Sequence, residues 1–232
     1  MKYIYLALLS VVLFLSCSKK QYPAIAPMTG TNIFTYLALG DSYTIGESVS
    51  ERERFPMQLI DSLKVGGISI STPRIIARTG WTTDELKSAI TASDLTANST
   101  FDMVTLLIGV NNQYRGKSVE AYKPEFTDLL NRAIQFAGGK KERVFVVSIP
   151  DYAYTPFGKG NASISQGIDA YNAANESITR QMGVAYINIT PISREGLNDT
   201  SLVASDGLHP SGKQYSRWVK LILPAVLKSF GK

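Results

Sequence analysis

Short apolar, β-branched runs alternate along the chain with stretches whose apolar positions recur at helical spacing. Residues 35–39 predict a buried strand that ends in Gly40. Phe55, Leu59, Ile60 and Leu63 then mark one face of a helix. Residues 68–77 predict the next extended run, and 86–90 a helix after it. A continuous apolar strand is predicted over 103–108, followed by a long amphipathic helix over 119–137 that Gly138-Gly139 stops. Residues 144–149 predict another buried strand, closed by Pro150; 168–182 a helix; and 184–189 a last extended run. Tyr215, Trp218, Val219, Ile222 and Val226 form one apolar face of a final helix, with Pro224 a candidate kink.

Five strands alternating with helices predict a single three-layer α/β/α domain with a parallel sheet, over residues 33–232. Strands that are apolar throughout suit a sheet with helices on both faces. Such sheets bind ligands beyond the carboxyl ends of their strands, so the residues after each strand are the ones to inspect.

The N-terminus has a different pattern. Lys2 precedes an apolar stretch over 3–15, and Ser16-Cys17 follows. A basic start, a short apolar segment and a small residue before a break predict a secretory signal over 1–16. The stretch is too short to cross a bilayer comfortably. The position of the cysteine resembles a bacterial lipoprotein signal, which implies Cys17 as lipidated mature N-terminus; Phe14 stands where such signals usually carry Leu. The expected location is the bacterial cell envelope, periplasmic or surface-exposed, with a membrane anchor at Cys17. An ordinary signal with a chance cysteine is the other reading. Residues 17–32 hold two Pro, one Gly and two Lys without apolar periodicity, and predict a flexible tether.

Composition narrows the chemistry. Among 232 residues there is one Cys and one His. A disulfide framework, a thiolate metal cluster and a site of several imidazoles are all excluded. Histidine proton transfer must use His209. Lys plus Arg number 24 against 19 Asp plus Glu, but the cations are dispersed, which speaks against a nucleic-acid partner.

Each strand end carries a candidate group. Gly40-Asp41-Ser42 follows the first strand; its serine reads as an exposed nucleophile at a helix start or as part of a cap. Gly80, after the second run, reads as a backbone donor or a turn glycine. Asn111, after Gly109, reads as an oxyanion donor or a turn residue. Asp206-x-x-His209 precedes the last helix; Asp206 can hold one ring nitrogen of His209, or cap a turn beside a surface histidine. Jointly these residues supply nucleophile, base, orienter and donors at one sheet edge.

In these four blocks the sequence resembles the SGNH hydrolases, also called GDSL esterases and lipases, over about residues 33–230. The resemblance implies Ser42 as nucleophile, His209 as general base and Asp206 as its partner. It implies an oxyanion hole from the Ser42 and Gly80 N–H groups and the Asn111 side chain. A flavodoxin-like sheet of order 2-1-3-4-5 and no cofactor or metal are also implied. The third block departs from the usual G-x-N-D, since Asn112 holds the Asp position.

The implied function is a serine esterase acting on small esters. Lipid anchoring favours acyl esters of lipids such as lysophospholipids; a carbohydrate acetyl esterase is the alternative, and a non-catalytic binding lipoprotein a further one. Trp81, Tyr152, Tyr154 and Phe157 are candidate substrate contacts, and Arg115 a candidate for an anionic substrate or a structured turn.

Overall fold

A computed structural model describes residues 33–232; the signal segment 1–16, Cys17 and the tether over 17–32 lie outside the described residues. Five parallel strands form one sheet: β1 (Tyr36–Gly40), β2 (Arg74–Ala77), β3 (Met103–Leu107), β4 (Val144–Val147) and β5 (Ala185–Ile187). Their order is β2-β1-β3-β4-β5, the expected 2-1-3-4-5. One row across the sheet reads Ile76, Leu39, Leu106, Val146, Tyr186. Every residue of β1, β3 and β4 is buried, which is why these strands are nearly all apolar rather than alternating; the polar Thr105 bonds the Tyr36 hydroxyl at 2.8 Å.

Among the described residues, eight α-helices connect and cover the strands: α1 (Ser42–Ile45), α2 (Phe55–Val65), α3 (Thr83–Ala92), α4 (Val110–Tyr114), α5 (Val119–Phe136), α6 (Ala162–Gln181), α7 (Thr190–Ser193) and α8 (Gly212–Ser229). They lie on both sides of the sheet: α2 packs on α8 in one layer, and α3, α5 and α6 pack in sequence in the other. The apolar face of α8 is buried as its spacing predicts, from Tyr215 and Trp218 to Val226. Pro224 lies within α8 without ending it.

Two elements differ from expectation. The extended run over 68–77 yields a strand only from Arg74, with Ile70 reduced to an isolated bridge to Phe34. Pro73 lacks an N–H, which breaks the ladder at that point. Helix α6 begins at Ala162, well before residue 168, because the Asn161 side chain accepts the Ser163 N–H and caps a first turn whose Ile164 packs on the core.

Candidate active site

The sheet topology brings the turns after β1, β2 and β3 to one edge, together with the turn before α8. At the first, the chain leaves β1 through Gly40, where a side chain would meet Thr44 Oγ1 at 2.1 Å and the Leu107 carbonyl oxygen at 2.5 Å. Glycine is therefore required for so close an approach. Asp41 is the N-cap of α1, its Oδ1 accepting the Tyr43 N–H at 3.0 Å. Burial pushes the Asp41 carboxyl up to about 7, against the lowering effect of that hydrogen bond. Ser42 is then the first helical residue, so its N–H has no partner within the helix. The cap is Asp41, and Ser42 beside it is 4% exposed, with that small opening toward the cleft described below.

His209 and Asp206 form a pair before α8. His209 Nδ1 lies 2.6 Å from Asp206 Oδ2. The other carboxylate oxygen accepts the N–H groups of Leu208 at 2.9 Å and of His209 at 3.0 Å. Burial raises the Asp206 pKa, but it is outweighed by hydrogen bonds from the His209 ring, those two N–H groups and the Ser48 hydroxyl, which hold the carboxyl at about 2. The His209 ring rests on Tyr43, centroids 5.6 Å apart, and Tyr43 in turn packs near the buried Trp218 at 6.4 Å. An aromatic floor therefore fixes the imidazole from below. His209 is only 8% exposed, and its opening is toward a cleft of about 220 Å³.

Ser42, Gly80 and Asn111 line that same cleft. No hydrogen bond joins Ser42 to His209 among the described residues; such bonds tighten when substrate binds. Gly80 takes φ +86°, and its N–H makes no hydrogen bond among the described residues. Asn111 donates one amide hydrogen to the Trp81 carbonyl at 2.9 Å, which leaves the second for a ligand. Asn112 is fully buried and ties the same turn to α3: it accepts the Thr83 N–H at 3.1 Å and donates to Thr83 Oγ1 at 2.6 Å. An amide can do both, so the departure from Asp leaves this turn firmly bonded.

Arg115 is not available to a ligand in this arrangement. Its Nη2 donates to the Gly80 carbonyl at 2.6 Å and its Nη1 to Glu85 at 3.1 Å, which braces the Gly80 turn. Of the four candidate contacts, Tyr152 and Phe157 line the cleft. Trp81 does not: the chain turns at Gly80, and Trp81 lines a separate groove with Asp84, Glu85 and Ser88. Tyr154 does not either, because it lies two residues beyond Tyr152 in a 3₁₀ turn, where such residues point about 120° apart.

Five lining residues escape sequence reading: Tyr43, Thr79, Val110, Tyr114 and Leu208. Tyr114 had a usable signal, since it lies one turn after Asn111 on α4, hence on the same face. Seeing it required recognising a five-residue helix in a Gly- and Asn-rich turn.

The walls carry a hydroxyl, an imidazole held by a carboxylate, and N–H donors, the equipment of acyl transfer. Among the described residues no three of His, Cys, Asp and Glu gather to hold a metal ion.

A sequence profile described as the GDSL-like Lipase/Acylhydrolase family matches residues 38–217. No curated protein matches the sequence. Among solved structures the chain is similar to TesA, at 16% identity and TM-score 0.67, covering 84% of this chain and 99% of that one. It is similar to the lipase/acylhydrolase from Enterococcus faecalis, at 19% identity and TM-score 0.63, with 84% and 95% covered. It is also similar to Axe2, an acetylxylan esterase from Geobacillus stearothermophilus, at 17% identity and TM-score 0.61, with 86% and 94% covered. At such identities the likeness concerns the fold. The family match, in contrast, runs from β1 into α8 and across every turn that lines the cleft, and so the chain belongs to the GDSL-like lipase/acylhydrolase family and is an ester hydrolase.

Proposed function

We propose that the chain hydrolyses carboxylic esters through an acyl-enzyme on Ser42, with His209 as general base and Asp206 as its orienting partner. One observation carries this: the Nδ1 of His209 is held by Asp206 at 2.6 Å, while its ring and Ser42 face one cleft. The Asp206 carboxylate fixes the Nδ1–H tautomer and supports the imidazolium. His209 takes the Ser42 proton as the oxygen attacks the ester carbonyl. The N–H groups of Ser42 and Gly80 and the Asn111 amide receive the developing oxyanion. The alkoxide leaves with the proton from His209, and water, deprotonated by the same imidazole, then releases the acid and restores Ser42. In this mechanism Ser42→Ala and His209→Ala each remove nearly all turnover of a short nitrophenyl ester while circular dichroism stays native. Wild-type turnover in Ser42→Ala, or an inert Ser42 toward a fluorophosphonate probe, would favour a binding protein instead.

The first substrate class is an acyl ester of a lipid, such as a lysophospholipid. It is supported by the cleft's walls, which are dominated by Val110, Tyr114, Tyr152, Phe157 and Leu208. A carbohydrate acetyl ester is the second, supported by the rings of Tyr114 and Phe157, 61% and 50% exposed at the rim and suited to stack on a sugar. The fold likeness to an acetylxylan esterase is in keeping with it. A chain-length series of nitrophenyl esters separates them: preference for octanoate or longer supports the lipid, and a steep preference for acetate the sugar. Export with a lipid on Cys17 belongs to the same proposal, and loss of detergent-phase partitioning in Cys17→Ser tests it.

A further inference from the structure

The turn that leaves α1 makes contacts that neither the catalytic scheme nor the family resemblance uses. It runs through Gly46, Glu47 and Ser48. The Ser48 hydroxyl donates to Asp206 Oδ2 at 2.8 Å, the same oxygen that faces His209 Nδ1. On the other side of the turn, Glu47 accepts a hydrogen bond from Thr79 Oγ1, beside Gly80. The segment that follows Ser42 therefore holds both the base turn and the Gly80 turn. Among the described residues, the Ser48–Asp206 bond is the only hydrogen bond between residues 41–50 and 203–210.

The backbone at Ser48 is in an unfavourable conformation. Its φ is +63°, and only one other non-glycine residue described, Lys159, has positive φ. A side chain in this region clashes with its own carbonyl, and glycine is the residue that adopts it freely. Serine here forgoes local stability and gains a hydroxyl aimed at the carboxylate. Strained residues of this kind cluster at functional sites.

We propose that Ser48 is a positioning residue for the Asp206–His209 pair, and that its hydroxyl both sets the carboxylate's place and moderates its basicity. The inference rests on the proposed roles of those two residues. A donor on Oδ2 draws charge from the oxygen that supports the imidazolium. With the hydroxyl present, the carboxylate supports the imidazolium less strongly than it would alone. Without it, Oδ2 serves the imidazole alone and holds the proton on His209 more tightly. Of the titratable groups around the pair, Tyr43 from α1 lies against the His209 ring, Tyr152 after β4 lines the same cleft, and Tyr43 and Tyr215 from α8 feel the Asp206 charge. All of these are unchanged in variants at Ser48, so a shift between variants reports the hydroxyl.

The test pairs Ser48→Gly with Ser48→Ala. Both lose the hydroxyl, but glycine relieves the positive φ and alanine does not, so Ser48→Gly melts at the higher temperature of the two. The acid limb of the kcat/KM profile on a nitrophenyl ester moves up in both variants alike, by about half a pH unit for a partly solvated bond. A role confined to turn stability makes activity follow melting temperature, with Ser48→Gly titrating like wild type; that result overturns the proposal. His209→Ala is measured beside them. If His209→Ala keeps wild-type turnover, the base assignment falls and the role of Ser48 with it. If His209→Ala is dead and both Ser48 variants titrate as wild type, only the positioning role falls.

Discussion

The turn that carries His209 and the turn that carries Asn111 stand on facing walls of one cleft, yet they are held in place by different means. Around His209 almost every bond is local: Asp206 bonds the ring and the backbone N–H three residues on, and the N–H of Leu208 between them. Two bonds come from afar, from the Ser48 hydroxyl to Asp206 and from the Phe157 N–H to the Gly207 carbonyl. Around Asn111 the backbone closes a short helix, but the side-chain bonds are distant in sequence: Asn111 to Trp81, Asn112 to Thr83, and Arg115 to Gly80 and Glu85. The first turn is a short-range motif that folds on itself. The second exists only because β2 and β3 flank β1 and bring α3 beside α4.

The contrast sets an order of expected effects. Breaking the local pair costs most. Asp206→Asn leaves a side chain able to accept backbone N–H groups but permits the wrong imidazole tautomer, and kcat falls by about 10⁴. A loss under tenfold, measured on a nitrophenyl ester, would show that the pair is not the base. In the other turn, Asn111→Ala removes one of the proposed oxyanion donors, so on the proposed mechanism kcat falls by about 10²–10³ with KM little changed. A rise in KM at constant kcat would assign Asn111 to ground-state binding instead.

Asn112→Ala attacks the second turn without touching the cleft. It strands the Thr83 N–H, whose residue is fully buried, and costs about 1–3 kcal/mol in denaturant or thermal unfolding. Unchanged stability would mean that the turn is held mainly by Asn111 and Arg115. The smallest effect is one of pH. The Asp206 carboxyl sits at about 2 in the fold, below its ordinary 3.8. The unfolded chain therefore binds this proton first, and the stabilisation, full above pH 3.8, is lost as pH falls toward 2. The melting-temperature gap between wild type and Asp206→Asn should narrow across that window.

The same contrast explains what could be read from the chain. Asp206-x-x-His209 was legible because its bonding partners lie within four consecutive residues. Asp41-Ser42 was legible for the same reason, a cap beside the first residue of a helix. Trp81 and Tyr154 misled because adjacency to a motif says nothing of direction: a left-handed glycine at residue 80 and a 3₁₀ turn at 152–154 send the rings elsewhere. Tyr114, Thr79 and Ser48 were missed because each meets the site only after distant strands are paired.

The sequence by itself determined the sheet and its helices, since apolar runs and helical periodicity record burial one element at a time. It also determined the residue types available for proton transfer, with one imidazole in the whole chain. Tertiary structure alone decided that Thr79 and Tyr114 join the cleft, that Arg115 braces a turn rather than awaiting a ligand, and that Ser48 reaches a carboxylate 158 positions away. The physical reason is range: propensity and capping act over one or two turns of chain, whereas a site is assembled by strand order, which no short segment encodes.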